Sequence, residues 1–91
     1  MKIKELLSDP TKWTQRVLAR NEDRLEVVSD SNDAICWCLM GAFIKCYPDK
    51  DISSDEWQKL SIACDRQVTI WNDDVERTFD EIKELVERLD L

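Results

Sequence analysis

Apolar residues near the end of the chain recur every three or four positions, which is the spacing of one face of an α-helix. The residues of this apolar face are Phe79, Ile82, Leu85, Val86 and Leu89. The acidic residues Asp80, Glu84 and Glu87 lie together on the opposite side, with Lys83 and Arg88 at its margins. The pattern therefore predicts a surface helix with a buried apolar face and an acidic exposed face.

The start of this last helix is open between two positions. Asp73 with Glu76, and Thr78 with Glu81, both match the capping box, in which a short polar side chain and an acid three residues later satisfy backbone amides. Val75 continues the apolar face toward the earlier position.

A second segment is apolar on all sides and predicts a buried central helix over about residues 33–46. Capping residues precede it at 30–33, and Pro48 follows its end. Gly41 in the interior of a helix costs about 1 kcal/mol relative to alanine. We therefore expect another backbone to cross closely at this glycine.

A further helix is predicted after the capping box formed by Ser53 and Glu56. Its apolar stripe consists of Trp57, Leu60, Ala63, Cys64 and Val68. Ile62 falls outside this stripe, and we expect its side chain to be exposed.

The first thirty residues are less regular. Asp9-Pro10 has two interpretations: it caps a second helix that runs through Trp13 to Leu18, or it ends a short first helix before an extended segment. Apolar stretches on both sides of the polar residues 21–24 predict a small β-hairpin at about residues 16–28.

These elements together predict one mainly α domain over residues 1–91. Three to four helices would form a compact bundle around the buried helix 33–46, with the small β-hairpin as an additional element. Ninety-one residues are enough for a single core and too few for two.

The charged residues are unevenly distributed along the chain, and this distribution bears on the kind of partner that the protein binds. The chain has 13 basic and 20 acidic residues and a net charge of −7, but residues 1–20 carry five basic and two acidic side chains. The acidic remainder would repel duplex nucleic acid and anionic lipid. We therefore expect a basic protein partner. Attraction between residues 1–20, which we call the basic head, and the acidic remainder of a second copy also allows a homodimer.

The residue types exclude several kinds of site. Without histidine the chain lacks the usual proton shuttle and metal ligand, and a single glycine cannot build a glycine-rich phosphate loop. Cys36 and Cys38 would lie about 200° apart on a helix, which does not suit a shared metal ion. We expect no enzymatic activity, no metal and no cofactor.

Compartment follows from the same composition. The longest apolar run, Ala34 to Ile44, is too short to span a bilayer, and the N-terminus lacks the pattern of a signal peptide. We expect a cytoplasmic protein whose four cysteines are thiols.

The string Trp71-Asn72-Asp73-Asp74 has two interpretations. It presents an aromatic ring and two carboxylates to a ligand, or Trp71 anchors a loop while Asn72 and Asp73 form Asx-turn or capping hydrogen bonds. The second use is the commoner one. Arg77 is close enough in sequence to pair with Asp73 in either case.

Several strings resemble a small family of unknown function. Trp37-Cys38-Leu39-Met40-Gly41-Ala42 resembles its W-C-x-x-G-A motif, and the segment from Trp71 to Thr78 resembles its W-N-D-x-x-x-R-T motif. Trp13-Thr14-Gln15 and Ala19-Arg20-Asn21 resemble its W-T-Q and A-R-D segments. The resemblance runs from about Trp13 to Leu89 and implies a small bacterial or phage protein with no assigned activity, so it supplies no catalytic residue.

The chain departs from that family in the hairpin turn and in the loop between W-N-D and R-T, where members often carry proline or glycine and this chain has Asp74-Val75-Glu76. Members usually have a glycine in the turn after A-R-D, where this chain has Glu22-Asp23-Arg24. The resemblance also favours Thr78 over Asp73 as the N-cap of the last helix.

The leading functional hypothesis is a small acidic, non-enzymatic protein-interaction module. One form of it is an inhibitor that a phage or mobile element directs at a host defence enzyme. Its interaction face would be Asp80, Glu84 and Glu87. The alternative is a small-ligand or nucleotide-binding protein that uses Trp71, Asn72, Asp73 and Arg77, and a further alternative is a DNA mimic with acids along one continuous face.

Overall fold

The computed structural model describes residues 1–91 and contains five α-helices, one 3-10 helix and a three-stranded sheet. The helices are α1 (Ile3–Leu6), α2 (Leu39–Cys46), α3 (Asp55–Cys64), α4 (Val68–Asp73) and α5 (Phe79–Leu89), with the 3-10 helix at Pro10–Lys12. The strands are β1 (Ala19–Arg20), β2 (Glu26–Val27) and β3 (Cys36–Trp37). The predicted helical character and hairpin are both present, but the sheet makes this a mixed architecture rather than a pure helical bundle.

The predicted hairpin is formed by β1 and β2, and β3 adds on the other side of β1. All pairs are antiparallel, in the order β2-β1-β3, with Ala19 opposite both Val27 and Trp37. The turn needs no glycine because the Asn21 carboxamide oxygen accepts from the backbone N–H groups of Asp23 and Leu25, at 3.0 Å each. Arg24 takes the left-handed conformation, with φ 68°, that a glycine would otherwise supply.

The predicted helix 33–46 is wrong in its first half. Helix α2 begins at Leu39, and Cys36–Trp37 is a strand that pairs with β1. Cys38 is the N-cap, and its Sγ accepts from the Gly41 N–H at 3.3 Å. A continuous apolar run fits a buried strand as well as a buried helix, so periodicity could not locate the change.

The close crossing expected at Gly41 is confirmed. A β-carbon added there would lie 1.9 Å from the carbonyl oxygen of Leu18, just before β1. The same carbonyl accepts from the Cys38 N–H at 3.2 Å. The sheet is thus seated directly on the first turn of α2.

The structure at Asp9-Pro10 combines the two interpretations, because Asp9 caps a helical turn but an extended segment follows that turn. Asp9 is an N-cap that accepts from Thr11 N–H, and Pro10 is the first residue of a 3-10 turn, but that turn ends at Lys12. The predicted second helix through Trp13 to Leu18 is absent. Trp13 instead forms a parallel bridge with Trp37, and Thr14 N–H donates to the Trp37 carbonyl at 3.0 Å, so pairing with β3 outweighs the local helical pattern.

The structure corrects the predicted N-cap of α3 and decides between the two candidate N-caps of α5. Helix α3 is capped by Ser54 rather than Ser53, since the Ser54 hydroxyl accepts from Trp57 N–H. Helix α5 begins at the Thr78 capping box, in which Glu81 Oε1 accepts a hydrogen bond from the Thr78 N–H at 2.9 Å. Val75 therefore lies outside the helix and is 81% exposed, so its assignment to the apolar face is wrong.

The core lies between α1, α2, α3 and the apolar face of α5. Its largest fully buried side chains include Ile3, Leu39, Leu60 and Ile82. Leu85 and Val86 complete the buried face of α5 as predicted, and Ile62 is exposed as predicted. Val68 is buried as well, but Asp65 in the left-handed conformation ends α3 before it, and Val68 begins α4.

Replacing Gly41 by alanine tests the crossing. Helix propensity alone would make Gly41→Ala stabilising by about 1 kcal/mol. Because the new methyl group would overlap the backbone of Leu18, we expect a loss of about 2–3 kcal/mol in the free energy of unfolding. Urea denaturation measures the sign, with Lys45→Ala on the exposed side of α2 as the control. A stabilised Gly41→Ala protein would contradict the crossing.

An ion pair between the chain ends predicts acid sensitivity. The Nζ atoms of Lys2 and Lys4 lie 2.9 Å and 2.6 Å from Asp90 Oδ1, and the hydrogen bond from Lys4 is the main reason that the Asp90 pKa falls to about 2. Since this pKa is lower in the folded state than the ordinary 3.8, the contribution of Asp90 to stability is complete above about pH 4. It is lost as the pH falls toward 2.

Wild-type protein should therefore exceed Asp90→Asn in unfolding free energy at pH 5, and the difference should shrink as the pH approaches 2. Asparagine tolerates the left-handed backbone of Asp90, φ 56°, so the change isolates the charge. Asp49→Asn, at an exposed carboxylate that forms no ion pair, is the control. A difference that is independent of pH would show that the two lysines do not hold Asp90.

Candidate interaction site

The Asn72 side chain lies at the centre of the polar interactions in the core and is fully buried. Its Oδ1 accepts from Trp13 Nε1 at 2.9 Å and from Leu39 N–H at 3.0 Å. Its Nδ2 donates to the Thr14 carbonyl at 3.2 Å and to Asp73 Oδ1 at 2.9 Å. The carboxamide thus makes four hydrogen bonds, which is its full capacity.

The neighbours of Asn72 attach the segment before β1 to α4. Gln15 Nε2 donates to the carbonyls of Asn72 and Asp74, both at 2.9 Å. Asp73 Oδ1 accepts from the Arg16 N–H at 2.8 Å, and Arg16 is held in the left-handed conformation with φ 76°. Asn72 and Asp73 therefore make long-range bonds, beyond the local Asx-turn or capping bonds considered for them.

Trp71 and Arg77 contact each other through a cation–π interaction and a hydrogen bond. The Arg77 guanidinium carbon lies 3.7 Å from the centroid of the Trp71 ring, and its Nε donates to the Trp71 carbonyl at 2.9 Å. A second guanidinium nitrogen pairs with Glu81 at 2.9 Å. A ligand at Trp71, Asn72, Asp73 and Arg77 would have to compete with these contacts, and the geometry favours the anchoring interpretation of this string.

The proposed acidic face on α5 is exposed, but basic side chains interrupt it. Asp80, Glu84 and Glu87 border a shallow concavity of about 570 Å³ together with Lys83 and Arg88. Arg88 Nε lies 3.0 Å from Glu84 Oε1. Two of the three acids on this face therefore remain without a basic partner.

A more strongly acidic surface lies at the end of the hairpin, and the sequence reasoning missed it. A concavity of about 530 Å³ is lined by Asn21, Glu22, Asp23, Asn32, Asp33 and Ile35. Three of these residues are acidic and none is basic. We call this concavity, with the adjoining exposed Leu25, the hairpin-end surface.

The sequence contained a signal for this surface. The polar string 21–24 predicts a turn and the polar string 30–33 predicts a run of capping residues, and each prediction accounts for its own string alone. The sheet brings them together because Ile35 N–H donates to the Arg20 carbonyl at 2.9 Å. Leu25 is 62% exposed and Ile35 is 46% exposed, although both are large apolar residues next to strands.

The cysteines are free thiols; Cys36, Cys38 and Cys64 are buried and Cys46 is half-buried, which disfavours the reactive thiolate. Burial raises the pKa of Cys46 and of Cys64 to about 11, and it also raises the pKa of Cys38. These three side chains are therefore protonated at neutral pH. The structure contains no group of three or more acidic or cysteine side chains that could hold a metal ion.

None of the helices combines the length with the apolar character that crossing a bilayer requires. A family model described as Family of unknown function (DUF6197) matches residues 2–89. Searches of curated proteins and of solved structures found no match to the chain.

Substitution of Asn72 tests whether this residue supports the fold. Asn72→Ala would leave the buried N–H groups of Trp13 and Leu39 and the Thr14 carbonyl without partners, so we expect a loss of about 3 kcal/mol or more. Asn72→Asp keeps the acceptor but loses the donor to Thr14, and it should be less stable at pH 7 than at pH 4, where a protonated carboxyl donates again. Chemical denaturation at both pH values provides the measurement, with the exposed Asn32→Ala as control. An Asn72→Ala protein as stable as the control would remove Asn72 from this role.

Proposed function

The chain belongs to the family of unknown function DUF6197, and we propose that it acts by binding a basic protein partner through the hairpin-end surface. The observation that carries the proposal is the composition of this concavity. Its lining contains the carboxylates of Glu22, Asp23 and Asp33 and no basic side chain, beside exposed Leu25 and Ile35. Arg24, between Asp23 and Leu25 in the turn, is exposed but does not line the concavity.

Each part of this surface suits a protein partner. Exposed carboxylates attract a basic patch over a distance and set its orientation, which raises the association rate and the specificity more than the affinity. Apolar side chains at the same place supply area to bury once contact is made. None of the three carboxylates is used inside the fold, because their side chains form no hydrogen bond or ion pair with the rest of the chain.

The distribution of the remaining charge supports this choice of surface. The basic head is partly neutralised within the chain, since Lys2 and Lys4 both contact Asp90. The α5 face has Lys83 and Arg88 among its acids, so its field is weaker. The mixture of basic and acidic side chains on the α5 face also does not suit DNA mimicry, which needs an unbroken row of negative charge.

Two variants with equal charge change test the proposal. One carries Glu22→Lys, Asp23→Lys and Asp33→Lys, and the other carries Asp80→Lys, Glu84→Lys and Glu87→Lys. Each moves the net charge from −7 to −1, so a difference between them reports position and not total charge. Wild type and both variants are used as baits in the same cell extract, with quantitative mass spectrometry of the retained proteins.

We expect a partner that wild type and the α5 variant retain and that the hairpin-end variant loses. With the purified partner, the affinity should fall as the salt concentration rises. Retention of the same partners by all three baits, or a loss confined to the α5 variant, would overturn the proposal. Circular dichroism and urea denaturation confirm that each variant is folded.

A further inference from the structure

One edge of the sheet is open. In the order β2-β1-β3, both β2 and β3 are outer strands. The far side of β3 is covered by the segment before β1, through the bridge between Trp13 and Trp37. Strand β2 pairs with β1 alone.

The backbone direction at β2 follows from the hydrogen bonds of β1. The Arg20 carbonyl accepts from Ile35 N–H at 2.9 Å, so Arg20 directs its main chain toward β3. Glu26 lies opposite Arg20, and groups on facing antiparallel strands alternate in direction. The N–H and carbonyl of Glu26 therefore point away from β1, and the Val28 N–H forms no backbone hydrogen bond.

Two of the usual protections of a sheet edge, lysine and proline, are absent here, although β2 is only two residues long and carries the charged Glu26. Edge strands commonly carry lysine or proline, which discourage another chain from pairing. This edge has neither, and Leu25 and Val28 on its two sides are 62% and 66% exposed. Its charge is acidic: residues 21–35 contain five acidic side chains and one basic side chain.

We propose that the basic partner adds an extended segment of its own chain to β2 as a fourth strand, with basic side chains toward Glu26 and the hairpin-end surface. This inference rests on the proposed function and specifies how the partner is bound. Main-chain hydrogen bonds to the N–H and carbonyl of Glu26 and to the N–H of Val28 would hold the segment, and its side chains would supply selectivity. The Val28 carbonyl already accepts from the Ser31 N–H at 3.1 Å. A second copy of this chain is a poor occupant because it would bring the same acidic edge.

Proline substitution separates main-chain pairing from side-chain docking. Glu26→Pro removes the outward N–H together with the carboxylate, while Glu26→Ala removes the carboxylate alone. Since the Glu26 N–H does not pair with β1, proline leaves the hairpin bonds in place. Val28→Pro and Val28→Ala form a second matched pair, which keeps the test valid if one proline variant fails to fold.

The probe is a fluorescent ten-residue peptide of alternating lysine and valine, measured by anisotropy at low salt against the full chain. We expect each proline variant to bind roughly tenfold more weakly than its alanine counterpart. Amide hydrogen exchange at Glu26 and Val28 should slow in the complex. The hairpin-end triple variant should also lose the peptide.

The outcomes distinguish the two proposals. If the triple variant loses the peptide but proline and alanine variants bind equally, the fourth strand is wrong while docking at the hairpin-end surface stands. If wild type does not bind the peptide, or the triple variant binds as wild type does, both proposals fail. Self-association of the wild type that Glu26→Pro abolishes would assign the edge to a second copy and overturn the inference.

Discussion

The structure depends on one buried carboxamide. Asn72 is enclosed in the core, where an unpaired polar group would be costly, and all four of its hydrogen-bonding positions are used. Three of its four partners come from segments 33 to 59 residues away in the chain, and the fourth is the neighbouring Asp73. One of them is the Leu39 N–H, which has no acceptor within α2 because it lies in the first turn of that helix. Asn72 therefore caps α2 from a distant part of the chain.

This interaction explains how a chain with short strands forms a sheet at all. Bonds to Asn72 and Asp73 fix the backbone from Trp13 to Arg16, which then enters β1 on a defined path. The absence of a side chain at Gly41 lets the Leu18 carbonyl rest on α2. Two-residue strands are weak in isolation, and here they are positioned by contacts with helices on both sides of them in sequence.

The same arrangement decides which charged and aromatic groups are available to a partner. Arg77 covers Trp71, Glu84 pairs with Arg88, and the first two lysines contact Asp90. Groups that stand out in the sequence are thus used within the fold. The carboxylates at the end of the hairpin have no such partners, because the Asn21 side chain holds the turn, and backbone hydrogen bonds with the Ser31 hydroxyl hold the loop before β3.

Local pattern determined those features whose causes are local. The apolar face of α5, the exposure of Ile62 and the presence of a hairpin could be predicted, since each depends on residues within a few positions of one another. Local pattern left two capping boxes for the start of α5, and the structure uses the one at Thr78. Gly41 was informative for a similar reason, because a glycine inside a helix needs an explanation in packing. Only the tertiary structure decided the rest: that Cys36 and Trp37 form a strand, that Trp13 is extended, that Asn72 is a core residue, and that residues 21–23 and 32–35 form one surface. Each of these depends on partners distant in sequence, and an apolar or polar string has the same appearance whichever partner it meets.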